Sequence, residues 1–190
     1  MRIFIVRHGE TDWNKQEIVQ GVSDIPLNKT GIQQAMHASQ FFSGKHFDAL
    51  ITSPLQRTIE TGTILIQNAH VKQIFQDERL IEKNFGICEG WSVERRKKEY
   101  PQGHAPNEES FVTVKQRMKE AILDYRQQFQ NDILIVSHGA AMAALLKALD
   151  PSLQNEFIRF QNVSLTLIDG TSLQILARDL VNNKMKPWLK

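Results

Sequence analysis

Short apolar runs alternate with longer amphipathic stretches along most of the chain. Residues 2–6 are apolar on both faces, which predicts a buried strand. Further strands are expected at 47–52, 71–75 and 133–136. A last pair, 163–169 and 173–178, turns at Asp169-Gly170. Between these runs the period lengthens. Helices are expected from Gly31 to Phe42, from Ser53-Pro54 with Ser53 as cap, and from about Asn107 or Ser110 to Phe129. Another covers 140–149, limited by Pro151. In the long helix, Phe111, Val114, Met118, Ala121, Ile122 and Tyr125 form one stripe. Residues 11–30 read as irregular and 182–190 as peripheral. Residues 83–109 break the pattern with three glycines and two prolines. They predict a lid-like excursion over a site, holding a short helix near Val93–Tyr100.

Strands that alternate with helices predict an α/β fold. Its sheet should be mostly parallel and covered on both faces, with at least one antiparallel strand from the final hairpin. The chain has 190 residues, 41% of them hydrophobic and 23% charged, a balance that suits one sizeable core. A net charge of +2 argues against a general nucleic-acid binder but not against a small anionic ligand. One cysteine, Cys88, allows neither an internal disulfide nor a thiolate cluster, which fits a reducing compartment. The first residues do not follow a secretory-signal pattern, and no apolar run approaches membrane length. A cytoplasmic protein with no membrane or nucleic-acid partner is expected.

Two phrases repeat each other: RIFIVRHG at 2–9 and DILIVSHG at 132–139. Each places a histidine, His8 or His138, just past the end of a buried strand. Ligands of open α/β sheets bind beyond those ends. If the two strands are neighbours, both imidazoles meet in one crevice. Gly9 and Gly139 would let the backbone turn sharply, and the helix after Gly139 would point free amides at an anion. Arg7 and Arg57 can add planar forks of donors. This set favours a phosphoryl dianion over a metal ion, because guanidinium groups repel cations. No GxxxxGK[ST] loop is present. A single histidine after a strand is more often structural, and Arg57 alone would read as a surface residue of its helix.

RHGETDWN at 7–14 resembles the signature of the histidine phosphatase superfamily, which includes cofactor-dependent phosphoglycerate mutase. VQGVSDIPLNKTG at 19–31, SPLQRTIETG at 53–62, LIEKNFGICEG at 80–90 and SHGA at 137–140 resemble its other motifs in order. The resemblance implies one three-layer α/β/α sandwich domain over 1–190. It implies that His8 is a nucleophile that becomes phosphohistidine, that Glu82 is the general acid, and that Arg7, Asn14, Arg57, His138 and Gly139 hold the phosphoryl group. No metal or other cofactor is implied. Cys88 stands where the family often has tryptophan, Thr58 and Gly62 where it usually has alanine, and Glu108-Glu109-Ser110 where it often has Gly-Glu-Ser. These departures remove no matched catalytic group.

The implied reaction is metal-independent hydrolysis of a small phosphorylated metabolite. His8 must be neutral to attack phosphorus, Glu82 must protonate the leaving alcohol, and His138 is expected to donate to the phosphoryl oxygens. Two alternatives are a phosphoglycerate mutase and a non-catalytic phosphate-binding module. Without the motif, Glu82 beside Lys83 reads as a solvated carboxylate. The basic run Arg95–Lys98 could attract a polyanion, but reads more simply as the wet face of a short helix. Trp13 could line the entrance or pack in the core, and His104 could touch substrate. The motifs leave the substrate and the oligomeric state unread.

Overall fold

The computed structural model describes residues 1–189. Six strands form one sheet: β1 (Arg2–Arg7), β2 (His46–Thr52), β3 (His70–Gln76), β4 (Ile133–Ser137), β5 (Leu165–Asp169) and β6 (Ile175–Leu180). Their order is β3-β2-β4-β1-β5-β6. The pairs among β3, β2, β4 and β1 are parallel, while β5 runs antiparallel to β1 and to β6. The helices are α1 (Asp12–Lys15), α2 (Lys29–Phe42), α3 (Gln56–Leu65), α4 (Val93–Glu99), α5 (Phe111–Gln128) and α6 (Gly139–Leu149).

Alternation along the strands builds two cores. Ile3, Ile5, Ile133 and Ile135 face α5 and α6, where Val114, Met118, Ala121 and Leu145 are fully buried. Phe4, Val6, Leu134 and Val136 face the other way, onto Ala38 and Phe42 of α2 and Leu65 of α3. The chain is therefore a three-layer α/β/α sandwich with a mostly parallel mixed sheet. Both faces of β1 and β4 are covered, which explains why their sequences are continuously apolar. Among the described residues no helix is long and apolar enough to cross a membrane.

Three local expectations change. The stretch 11–30 holds the one-turn helix α1, closed by a capping box between Thr11 and Asn14. Ser53 does not cap α3, which starts at Gln56 after an extended Leu55; Asp24 Oδ1 accepts from the Gln56 amide at 2.8 Å instead. Residues 182–188 are not peripheral. They form a 3₁₀ turn whose Met185, like the following Leu189, is buried against the Phe4 side of the sheet. Arg2 ties this turn to the start of β1: its Nη1 donates to Trp188 O at 3.0 Å and its Nη2 to Asp132 Oδ2 at 2.7 Å.

After β1 the chain passes very close to the start of α2. A Cβ on Gly9 would lie 2.7 Å from Gly31 O, and one on Gly31 would lie 2.1 Å from Glu10 O. Gly9 therefore serves close approach of two backbones. Gly139 meets no such wall, since its Cβ would come no nearer than 3.6 Å to Arg7 Nε. Neither is among the glycines with positive φ, so the expected sharp turn is not their role. Gly31→Ala should gain up to ~1 kcal/mol of helix propensity. The backbone clash should outweigh this and lower the unfolding free energy by about 2 kcal/mol or more. Urea denaturation with an unchanged m-value would register the loss; a midpoint equal to the wild type would contradict the packing described.

Candidate active site

The parallel register pairs Arg7 with Ser137, so the next residue on each strand is a histidine. The His8 amide continues the ladder by donating to Ser137 O at 3.0 Å. The two imidazole centroids lie 5.2 Å apart, and both rings are buried. The crevice expected from the doubled phrase is therefore present at the carboxyl ends of β1 and β4.

His8 Nδ1 lies 2.7 Å from the carbonyl oxygen of Gly9. A carbonyl only accepts, so Nδ1 carries the proton and Nε2 keeps its lone pair. Burial pushes the His8 pKa well below its ordinary 6.5, and the charges of Arg57 and Arg7 push the same way. His8 is thus neutral at pH 7, with its proton on the far side of the ring from Nε2.

Arg7 and Arg57 are both largely enclosed. Arg7 Nη1 donates to Phe160 O at 2.6 Å, and its buried Nε has no hydrogen-bond partner. Arg57 is fully buried. Its Nη1 and Nη2 donate to Ser23 O and Gly21 O, each at 2.8 Å, and its Nε to His138 Nδ1 at 3.2 Å. Those three bonds leave two of the five guanidinium N–H groups for a ligand. Burial lowers both pKa values, that of Arg57 to about 10, while the nearby Glu82 charge opposes the shift. Both remain cationic at pH 7.

His138 is held differently from the expectation of a direct phosphoryl donor. Its Nδ1 accepts from Arg57, and its Nε2 donates to Ser53 Oγ at 2.9 Å. Burial and the Arg57 charge keep its pKa well below 6.5, so the ring is neutral and has one N–H, already used. In this arrangement His138 orients Arg57. Ser53, expected as a helix cap, is the residue that fixes the His138 tautomer.

Glu82 corrects a second expectation. The second and third amides of α6 are not free: Ala140 N donates to Glu82 Oε2 at 3.1 Å and Ala141 N to Oε1 at 2.9 Å. The anion at this helix start is the protein's own carboxylate, aided by the positive end of the helix dipole. Gly139 opens the same helix beside the Arg7 guanidinium.

Asn14 lines the same cleft, a cavity of about 210 Å³ shared with Arg7, His8, Arg57 and Glu82. Its Oδ1 accepts from Thr11 N at 3.2 Å and Asn162 Nδ2 at 3.4 Å, which leaves its own Nδ2 as the polar group to meet a ligand. Asn162 also donates to His8 O at 3.0 Å. No local pattern marks a lone asparagine before β5, so the sequence alone does not single it out. The next residue, Val163, sits at φ 56°, a left-handed conformation that costs a β-branched residue about 1–3 kcal/mol. It is buried, and its amide donates to Arg7 O at 3.0 Å, so packing and hydrogen bonding hold it there.

Other candidates fall away from the chemistry. Glu89 binds the amides of Val22, Ser23 and Phe85, pinning the loop whose carbonyls hold Arg57. The ring of Trp13 lies against Gly90. Cys88 is fully buried, and burial pushes its thiol pKa up, so it is not a reactive thiolate. His104 is exposed and does not line the cleft. No cluster of three or more possible metal ligands occurs among the described residues.

The chain is similar to known proteins over nearly its whole length. It is 35% identical to "Uncharacterized phosphatase PhoE" of Bacillus subtilis (strain 168), across 99% of this chain and 98% of that one. It is 31% identical to "Probable phosphoglycerate mutase GpmB" of Escherichia fergusonii, across 93% and 88%. The solved structure "Bacillus stearothermophilus YhfR" superposes with a TM-score of 0.85 at 26% identity, covering 96% of this chain and 98% of that one. A family profile, "Histidine phosphatase superfamily (branch 1)", matches residues 3–182. With both histidines, both arginines and Glu82 inside that span, the chain belongs to the histidine phosphatase superfamily, branch 1.

Proposed function

We propose that this member of the superfamily is a metal-independent phosphomonoester hydrolase that works through phosphohistidine on a small phosphorylated metabolite. The observation that carries this reading is the Gly9 carbonyl on His8 Nδ1, which leaves Nε2 unprotonated in a ring that shares its cleft with the Arg7 and Arg57 guanidinium groups. Arg7 and Arg57 bind the phosphoryl oxygens and stabilise charge on them as the bond to phosphorus changes hands. His8 Nε2 attacks in line, and the ester oxygen leaves. Glu82 lines the cleft beside these groups; it enters this step in its protonated form, gives that proton to the leaving oxygen and is left as the carboxylate. Water then attacks the phosphohistidine, and Glu82 takes up its proton. Asn14 Nδ2 and the start of α6 at Gly139 complete the phosphoryl cradle. His138 acts by holding Arg57.

The name of the Escherichia fergusonii relative favours a second reading, phosphoglycerate mutase. The two differ in where the phosphoryl group goes from His8. Incubation with 3-phosphoglycerate separates them: release of inorganic phosphate supports the hydrolase, and isomer formation without release supports the mutase.

Para-nitrophenyl phosphate should be hydrolysed by the wild type with or without a chelator, and an alkaline quench should trap phosphate on His8. His8→Ala should lose about 10³-fold or more in kcat. Equal rates for wild type and His8→Ala would exclude His8 as nucleophile. Glu82→Gln should slow an alkyl phosphate about 10²–10⁴-fold. It should slow para-nitrophenyl phosphate much less, because that leaving group departs without a proton.

The neutrality of His8 and His138 has a thermodynamic signature. Their folded-state pKa values lie below 6.5, so the unfolded chain binds more protons than the folded one once pH falls under 6.5. The stability they contribute is complete above that value and is lost as pH drops toward the folded-state values. Between pH 6.5 and 5.5 the two together should cost about 2 kcal/mol. Urea titrations across that range should show His8→Asn removing roughly half of this pH dependence. An unchanged dependence would show that His8 is not buried as the neutral form.

A further inference from the structure

The basic run on α4 divides in two. Arg95 lies 3.5 Å over the Trp91 ring and pairs with Glu99 at 2.8 Å, and Lys98 is exposed. Arg96, which is half-buried, and Lys97, which is exposed, line the cleft that holds His8, together with Phe85 and Val93. The wet face of α4 is at these two residues also a wall of the cleft.

The half that lines the cleft is short of negative charge. Glu108 is shared between Lys83 and Arg96, with Arg96 Nη2 at 2.7 Å. Its other oxygen accepts from the Ala105 amide at 2.9 Å. Lys97 forms no salt bridge among the described residues. One carboxylate is thus shared by two cations, and the neighbouring Lys97 has none. Arg96 Nε is buried and has no hydrogen-bond partner, which is costly for a charged donor unless something accepts from it. Arg7 and Arg57 are held by Phe160, Gly21, Ser23 and His138, and Arg96 by Glu108 and Phe85, so the two sets are anchored by different segments of the chain. Phe85 and Val93 add apolar lining to the same cleft. The Phe85 ring carries Arg96 and Lys83 at 4.9 Å each, so its faces already attract cations.

We propose that Arg96 and Lys97 form a subsite for a second anionic group on the substrate, a carboxylate or a phosphate, whose carbon frame packs on Phe85 and Val93. This rests on the phosphatase reading and narrows it to phosphomonoesters with two separated anionic groups. Arg96 Nη2 already binds Glu108, so Arg96 offers its remaining guanidinium N–H groups, and Lys97 adds a mobile ammonium. Glu108 and Phe85 set the position of Arg96, so its guanidinium is ordered before substrate arrives.

The test compares phenyl phosphate with 3- and 4-carboxyphenyl phosphate and with 1,3- and 1,4-phenylene bisphosphate. Wild type should prefer at least one doubly anionic ester by about tenfold or more in kcat/KM, mainly through KM, as expected for a charge-assisted hydrogen bond. Arg96→Met and Lys97→Met, which keep an apolar stem, should each bring that preference toward one. Arg96→Lys should keep part of it, and Lys98→Met, on the exposed side of α4, should keep all of it. Lys97→Met leaves the Glu108 contacts intact and serves if Arg96→Met fails to fold. A greater gain from the bisphosphates assigns the subsite to phosphate, and a greater gain from the carboxylates assigns it to carboxylate. Hydrolysis of phenyl phosphate with no preference for any doubly anionic ester overturns the subsite and leaves the phosphatase reading standing. Absence of hydrolysis of every ester overturns both.

Discussion

The parallel pairing of β1 with β4 is the constraint on which the site depends. Its register sets Arg7 opposite Ser137, so the polypeptide leaves the sheet at two adjacent histidines. Both strands are buried on both faces. A one-residue slip would send every isoleucine of β1 to the opposite core. The spacing of the two rings is thus fixed by hydrophobic packing well away from them. Gly9 and Gly31 add the close backbone contact that lets α2 and the loop after β1 share the rim of the same crevice.

Charge is the second constraint. Two guanidinium groups are enclosed beside one carboxylate, and burial disfavours both cations. Backbone carbonyls of Gly21, Ser23 and Phe160 offset part of that cost. Glu82 offsets more, while the second and third amides of α6 hold its own charge. The histidines respond by staying neutral. Each has one nitrogen committed as donor, His8 to Gly9 O and His138 to Ser53 Oγ, so those acceptors fix the tautomers, while burial, aided by the arginine charges, keeps the rings uncharged. Two guanidinium groups, one carboxylate and two neutral imidazoles leave this set with one net positive charge, which suits an anionic ligand.

Much of this was legible in the sequence, for identifiable reasons. Continuous apolar runs ending in histidine gave the buried strands and the crevice, because burial on both faces leaves a local trace. Motif order pointed to Arg57 and Glu82, which composition alone would have left on the surface. Relations that close only in three dimensions were not legible. Asn162 reaches His8 O across most of the chain, and Val163 holds a left-handed backbone that nothing in its neighbourhood requires. The amides of α6 looked open because their carboxylate comes from a distant segment. Residues 182–189 looked peripheral because asparagines and lysines surround Met185 and Leu189. On α4, four adjacent cations look alike in sequence, and only the packing of Arg95 on Trp91 and of Arg96 on Phe85 and Glu108, with the course of the cleft wall, tells them apart.

The tie from Arg2 to Asp132 and Trp188 places both the start of β1 and the last 3₁₀ turn at the end of the sheet remote from His8. Six residues of strand, about 20 Å, separate the two ends. A label or immobilising linker attached at the start of β1 or on the last 3₁₀ turn would therefore sit on the far pole of the molecule, leaving the mouth of the cleft open to solvent and the protein usable on a surface or sensor.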